Sequence, residues 1–79
     1  MKITVTQQDI DKGRPGSHVA CPLALAIQRV YPRKRIGVSG SLARVGRYSY
    51  TLPEVASEFV FRVDRHQGVK PFEFDLPLD

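Results

Sequence analysis

What this chain has little of limits it first. One cysteine, Cys21, leaves no internal disulfide, which agrees with a reducing compartment. There is no tryptophan, and no apolar run approaches the roughly 20 residues needed to span a bilayer. The opening "MKITVTQQD" alternates polar with apolar residues instead of building the apolar centre of a signal peptide. The expectation is a cytoplasmic protein with no membrane partner. Repeats, low-complexity tracts and linkers are also missing, so residues 1–79 are read as a single compact domain. A chain of this size buries only about 60–65 per cent of its unfolded surface. Little volume is left for an enclosed active site, and binding on a surface is the default.

The most informative absence is of negative charge. Residues 1–11 carry Lys2 against Asp9 and Asp11, residues 12–53 carry eight cations and no carboxylate, and the remainder carries three cations against six carboxylates. The formal charge of +4 therefore hides a strongly basic middle and an acidic end.

Periodicity organises the chain. "KITVT" puts Ile3 and Val5 on one face of a strand. Thr6 and Asp9 form a T-x-x-D start for a short helical turn ending at Gly13. "GRPGSH" is a loop, after which Cys21 and Pro22 open a helix that Pro32 closes near Tyr31. Its buried stripe is Leu23, Ala26, Ile27 and Val30, with Leu25 almost opposite. "RIGVS" and "RYSYTL" read as two strands joined through "GSLARVG". Val45 falls out of phase with the tyrosines, which places a bulge near Gly46, and Tyr48 and Tyr50 are expected to point inward. Thr51, Pro53 and Glu54 suggest a capping box for a second helix running to about His66 and stopped by Gly68. Its stripe is Val55, Ala56, Phe59, Val60 and Val63, leaving Phe61 among Glu54, Ser57, Glu58 and Arg65. "PFEFDL" is a last strand with Phe72, Phe74 and Leu76 inward. The expected fold is α+β, in the order β-α-β-β-α-β, with two main helices on one face of a mainly antiparallel sheet of about four strands.

Some cations have a structural explanation: Arg29 and Arg33, and Arg62, Arg65 and His66, stand at helix C-termini, where positive charge offsets the dipole. Lys34, Arg35, Arg44 and Arg47 fall instead on or beside the central hairpin near two tyrosines. Cations interleaved with aromatics suit an acidic protein surface or nucleic acid. The candidate partner-binding set is Arg33, Lys34, Arg35, Arg44 and Arg47, with Phe61 as an apolar anchor.

Catalytic and metal motifs are weak. "GVSG" lies between β-type residues, not between the two helices of a single-strand-binding clamp. "GRPG" and "GSLARVG" lack the spacing of a phosphate loop. His18 and Cys21 have the spacing of half a zinc site without a second half. A Cys21 thiol with His18 as base has no accompanying orienting or oxyanion group, and Cys21 is better read as a helix cap. The expectation is a non-enzymatic protein with no metal and no cofactor.

The opening "ITVTQQDIDKG", then "CPLALAI" and the closing "PFEFDL", resemble small bacteriophage- and prophage-encoded proteins that share a Thr-Gln-x-x-Ile-x-x-Gly start and a Cys-Pro-x-Ala-x-Ala helix. The position three before Cys21, often cysteine in such proteins, is His18 here. The resemblance carries no established activity. What it implies is a setting in which short proteins occupy a surface of a host protein or nucleoprotein complex, as inhibitors of the anti-CRISPR style do.

Overall fold

The computed structural model describes residues 1–77. Strand β1 (Lys2–Val5) alternates as its sequence predicts, with Ile3 and Val5 fully buried, and pairs antiparallel with β5 (Phe72–Asp75). Ile3 lies opposite Phe74 and Val5 opposite Phe72, so the apolar faces of both strands coincide. The Thr6 hydroxyl accepts from the Asp9 N–H at 3.2 Å and the Asp9 carboxylate accepts from the Thr6 N–H at 2.9 Å, the reciprocal box that starts α1 (Gln7–Lys12). Gly13 ends this helix against the start of α2 (Pro22–Val30): a Cβ at position 13 would lie 2.5 Å from the Pro22 ring, so only glycine permits the approach. Cys21 caps α2 through its sulfur, which accepts from the Ala24 N–H at 3.4 Å. Leu23, Ala26 and Ile27 are fully buried, while Val30 and Leu25 are half-buried.

The Asp9 carboxylate does more than cap. It is nearly fully buried and pairs with the Arg29 guanidinium from α2, which also donates to the Thr4 carbonyl at 3.3 Å. Arg29 thus has a specific partner beyond the helix dipole. Burial pushes the Asp9 carboxyl up, but the Arg29 guanidinium and the Thr6 N–H and hydroxyl outweigh it, and the group sits below its ordinary value of 3.8.

The middle of the chain departs from expectation. "GSLARVG" is not a connection but contains a strand: β2 (Ile36–Ser39), β3 (Leu42–Val45) and β4 (Tyr48–Thr51) form a three-stranded antiparallel meander. Gly40 and Gly46 take φ of 54° and 63°, each opening a two-residue turn that reverses the chain. Val45 stands directly opposite Tyr48. The phase change seen in the sequence is this turn, and no bulge is needed. There are accordingly two antiparallel sheets, of two and three strands, in place of one of about four. The described residues form a mixed α and β fold in which Ile3, Val5, Phe74 and Leu76 share one apolar cluster with Ile36, Val38, Ala43 and Val45 and both longer helices. No helix among them is long and apolar enough to cross a membrane.

Helix α3 (Glu54–Asp64) corrects three further expectations. Thr51 belongs to β4, and the cap position is Pro53, which offers no side-chain bond. Ala56, Phe59, Val60 and Val63 are buried, whereas Val55, 100° from Ala56 at the margin of the stripe, is exposed. The Phe59 and Phe72 ring centroids are 4.7 Å apart, and those of Phe72 and Phe74 5.6 Å, which ties β5 to α3. The helix ends at Asp64 with Arg65 as its C-cap, short of the expected His66, and the turn that stops it is made by His66 and not by Gly68. His66 has φ of 58°, its N–H reaches the Val63 carbonyl at 3.0 Å, and the Gln67 N–H reaches that of Arg62 at 2.9 Å.

Two stability measurements follow. A group whose folded pKa is depressed stabilises the fold above its unfolded value and loses that contribution as pH falls through the folded one. Asp9→Asn is expected to lose about 2 kcal/mol near neutrality, since Arg29 is half-exposed and the pair is only partly desolvated. Its denaturation midpoint should also respond less than the parent's to acidification below about pH 4; an identical acid limb in both proteins would contradict the assignment. His66→Gly, which relieves a left-handed non-glycine residue, should raise stability by about 1 kcal/mol, or about 4–8 °C in Tm. A lowered Tm would mean that the His66 side chain contributes more than its backbone costs.

Candidate basic interface

Local register decides where the basic side chains go. Ile36, Val38, Ala43 and Val45 enter the core, so the alternate positions of the meander face outward, with Arg44 on the central strand between Gly37 and Ser49. Gly37 and Ser49 offer little side-chain bulk, and Arg44 stands clear on that face.

Residues 31–35 are brought to the same end of the sheet. Gln28 Nε2 donates to the Tyr31 carbonyl at 2.8 Å and to the Lys34 carbonyl at 2.9 Å, while the Lys34 N–H bonds the Tyr31 carbonyl at 3.2 Å. The Arg35 carbonyl accepts from the Gly46 N–H at 2.8 Å, which seats this loop against the β3–β4 turn and next to Arg47. The aliphatic stem of Lys34 lies over the same turn, its Cδ 3.3 Å from where a Cβ on Gly46 would be. Lys34, Arg35 and Arg47 therefore converge at the Gly46 end of the meander, with Arg33 in the adjoining loop and Arg44 on β3 two residues before Gly46.

None of these five cations is in an ion pair among the described residues. The pairs that form are Arg29 with Asp9, Lys2 with Glu73 at 3.3 Å, and Arg62 with Glu58 at 2.9 Å. Two of the C-terminal carboxylates, Glu58 and Glu73, are thus paired elsewhere, and all five cations are exposed.

Phe61 is placed elsewhere. It is exposed on α3 with the Arg65 guanidinium 3.9 Å from its ring centroid, and it flanks hollows lined by Gly40 and Ser41. The Gly40 and Gly46 turns are at opposite ends of β3, so the apolar anchor and the cations do not form one continuous patch. The tyrosines also differ from expectation. Tyr50 is half-buried against the core, but Tyr48 is 60% exposed, because β4 is an edge strand and Tyr48 stands at its margin beside the turn.

No hydrogen bond joins Cys21 to His18 among the described residues. Cys21 is buried, and that burial, reinforced by the Asp64 charge, pushes its thiol above the ordinary value of 9.0 and keeps it protonated. The His18 carbonyl accepts from the Val38 N–H at 2.8 Å, and its Nδ1 lies 3.2 Å from the Val38 carbonyl. Asp64 accepts from the Gly16 N–H at 2.9 Å. No three metal-ligating side chains cluster among the described residues.

No protein family, curated protein or solved structure is matched by this chain.

Gln28 was not legible as a site residue, since a helical glutamine beside Arg29 reads as part of a solvated face. Its role implies that Gln28→Ala should cost about 1–2 kcal/mol for two lost carbonyl bonds and speed amide hydrogen exchange at Lys34. Unchanged exchange there would show that the loop holds its place without Gln28.

Proposed function

We propose that this protein is a non-enzymatic binding protein that inhibits a host macromolecular complex by covering an acidic surface with the basic end of its meander. The observation that carries the reading is the convergence of Arg33, Lys34, Arg35, Arg44 and Arg47, without internal counter-charges among the described residues, on a loop and turn held by Gln28 and Gly46. Uncompensated like charges on a small rigid element repel one another and are favoured only when something anionic approaches them. The resemblance to phage-encoded proteins supports a host complex as that partner, defence nucleases of the anti-CRISPR type included. Inhibition would be by steric and electrostatic occlusion, with cationic steering setting the rate of encounter.

A second reading, direct sequence-tolerant binding of DNA or RNA, is favoured by one observation: the exposed ring of Tyr48 beside Arg47 is placed as a stacking surface next to a phosphate contact.

Pull-down from bacterial lysate, with and without nuclease, tests both. With the parent protein, capture that survives nuclease is expected. The double variant Arg44→Glu, Arg47→Glu should lose about tenfold or more in affinity with little change in Tm, since neither side chain has an internal partner among the described residues. Equal capture by the double variant would sink the proposal. Capture abolished by nuclease, with a log affinity slope of about −0.9 per contacted phosphate against log salt, would establish the second reading in its place.

A further inference from the structure

We propose that the free edge of β4 accepts an extended acidic peptide segment of the partner protein as a fourth strand of the meander. This rests on the reading of the basic end as a surface for acidic protein, and it specifies the form in which that protein docks.

The hydrogen-bond phase of the meander identifies the outward groups. The Leu52 N–H donates to the Ser41 carbonyl at 2.7 Å, so in the β3–β4 ladder the pairs Ala43 with Tyr50 and Val45 with Tyr48 exchange bonds. Ser49 and Thr51, the alternate residues, point their N–H and C=O groups away from β3. Neither residue's main chain has a partner among the described residues, and both residues are exposed. Two donor and acceptor sets, about 6.8 Å apart along the strand, are therefore unused.

The opposite edge of the same sheet is treated differently. The Arg35 to Gly46 bond sets the phase on the β2 side, where Val38 points outward, and there His18 takes the Val38 N–H with its carbonyl and approaches the Val38 carbonyl with its ring. That edge is covered at Val38 by the protein's own chain, whereas both outward residues of β4 are bare. The bare strand, "YSYT", has none of the usual protections: no proline, no bulge, no charge within it.

Its surroundings select the guest. On one face Arg44 stands directly across from Ser49 on β3, and the short Ser49 side chain leaves its path open toward a strand two spacings away, about 10 Å. Arg47 flanks the strand's start. On the other face are Tyr48, exposed, and Tyr50, half-buried. A strand added here would present alternate side chains to cations and to aromatic rings, which fits a segment in which acidic and apolar residues alternate. A second copy of this chain fits poorly, because edge-to-edge pairing would join two sets of five unpaired cations. Nucleic acid has no amide ladder to offer.

The test uses the unmodified protein and a ten-residue peptide of alternating glutamate and valine with blocked ends. Two further versions carry N-methyl groups on the glutamates only or on the valines only. Binding is followed by fluorescence polarisation at low salt, and amide hydrogen exchange is read at Ser49 and Thr51. The parent peptide should bind and slow exchange at both amides. One methylated version should lose about tenfold or more, corresponding to two or three main-chain bonds, while the other retains affinity, since only alternate residues of a guest strand face its host. Equal binding of all three peptides would overturn strand addition while leaving the acidic-surface reading in place. Absence of peptide binding, alongside binding of duplex DNA with a steep salt slope, would overturn both. A β4-mediated dimer in sedimentation that the peptide does not displace would also overturn the proposal.

Discussion

The buried carboxylate of Asp9 is the contact on which the arrangement depends. It closes the cap of α1 through Thr6 and holds Arg29 of α2, and Arg29 in turn reaches the β1 carbonyl at Thr4. Strand β1 and helix α1, neighbours in sequence, are thereby fixed to α2 by a charge that is tolerable in the interior only because all of these partners are present. Gln28 is the neighbour of Arg29 on α2. Once the end of that helix is set, the Gln28 amide has a defined position from which to hold the Tyr31 and Lys34 carbonyls. The basic loop is thus held by the residue next to the one that Asp9 pairs.

Ion pairing sorts the cations. Arg29 is consumed by Asp9, Lys2 by Glu73 on the partner strand and Arg62 by Glu58 one turn earlier on its helix. Glu58 and Glu73 are thus spent locally, and Asp64 accepts the Gly16 N–H. The exposed pairs add little stability, but they keep acidic groups occupied away from the Gly46 turn. The charge asymmetry of the sequence consequently survives folding as an asymmetry in space.

Much of this was readable before the fold was known, for local reasons. The Thr6 box, the Cys21-Pro22 helix start and the alternation of β5 are each set by residues within a few positions of one another. The failures share the opposite property. "LARV" was hidden as a strand because only five residues separate Gly40 from Gly46, and recognising it required knowing that both take positive φ as turn openers. Thr51 resembled a cap, yet the ladder with Leu42 claimed its backbone for β4. Tyr48 alternates correctly toward the core side, but alternation does not say how far the core extends, and at the margin of an edge strand it ends first. His66 displaced Gly68 as the helix stop because the bonds to Arg62 and Val63 fix the turn at that position, whatever the propensity of the residue. The Asp9 to Arg29 pair, twenty residues apart, leaves no mark in local pattern at all.

The contrast between the two edges of the meander bears on how a domain this small can bind tightly. Its cations alone would give fast, salt-sensitive encounter with any polyanion. Affinity among related complexes is governed mostly by dissociation, which calls for contacts that long-range charge does not supply. Main-chain bonds along a bare strand are such contacts: short-ranged, directional and demanding of an extended partner. His18 occupies Val38 of β2, so at that position the opposite edge is not open to a guest. On the proposed reading the Gly46 turn draws the acidic segment in and the neighbouring edge retains it. The two properties are inseparable in the fold, because the turn that gathers Lys34, Arg35 and Arg47 is the turn that starts β4.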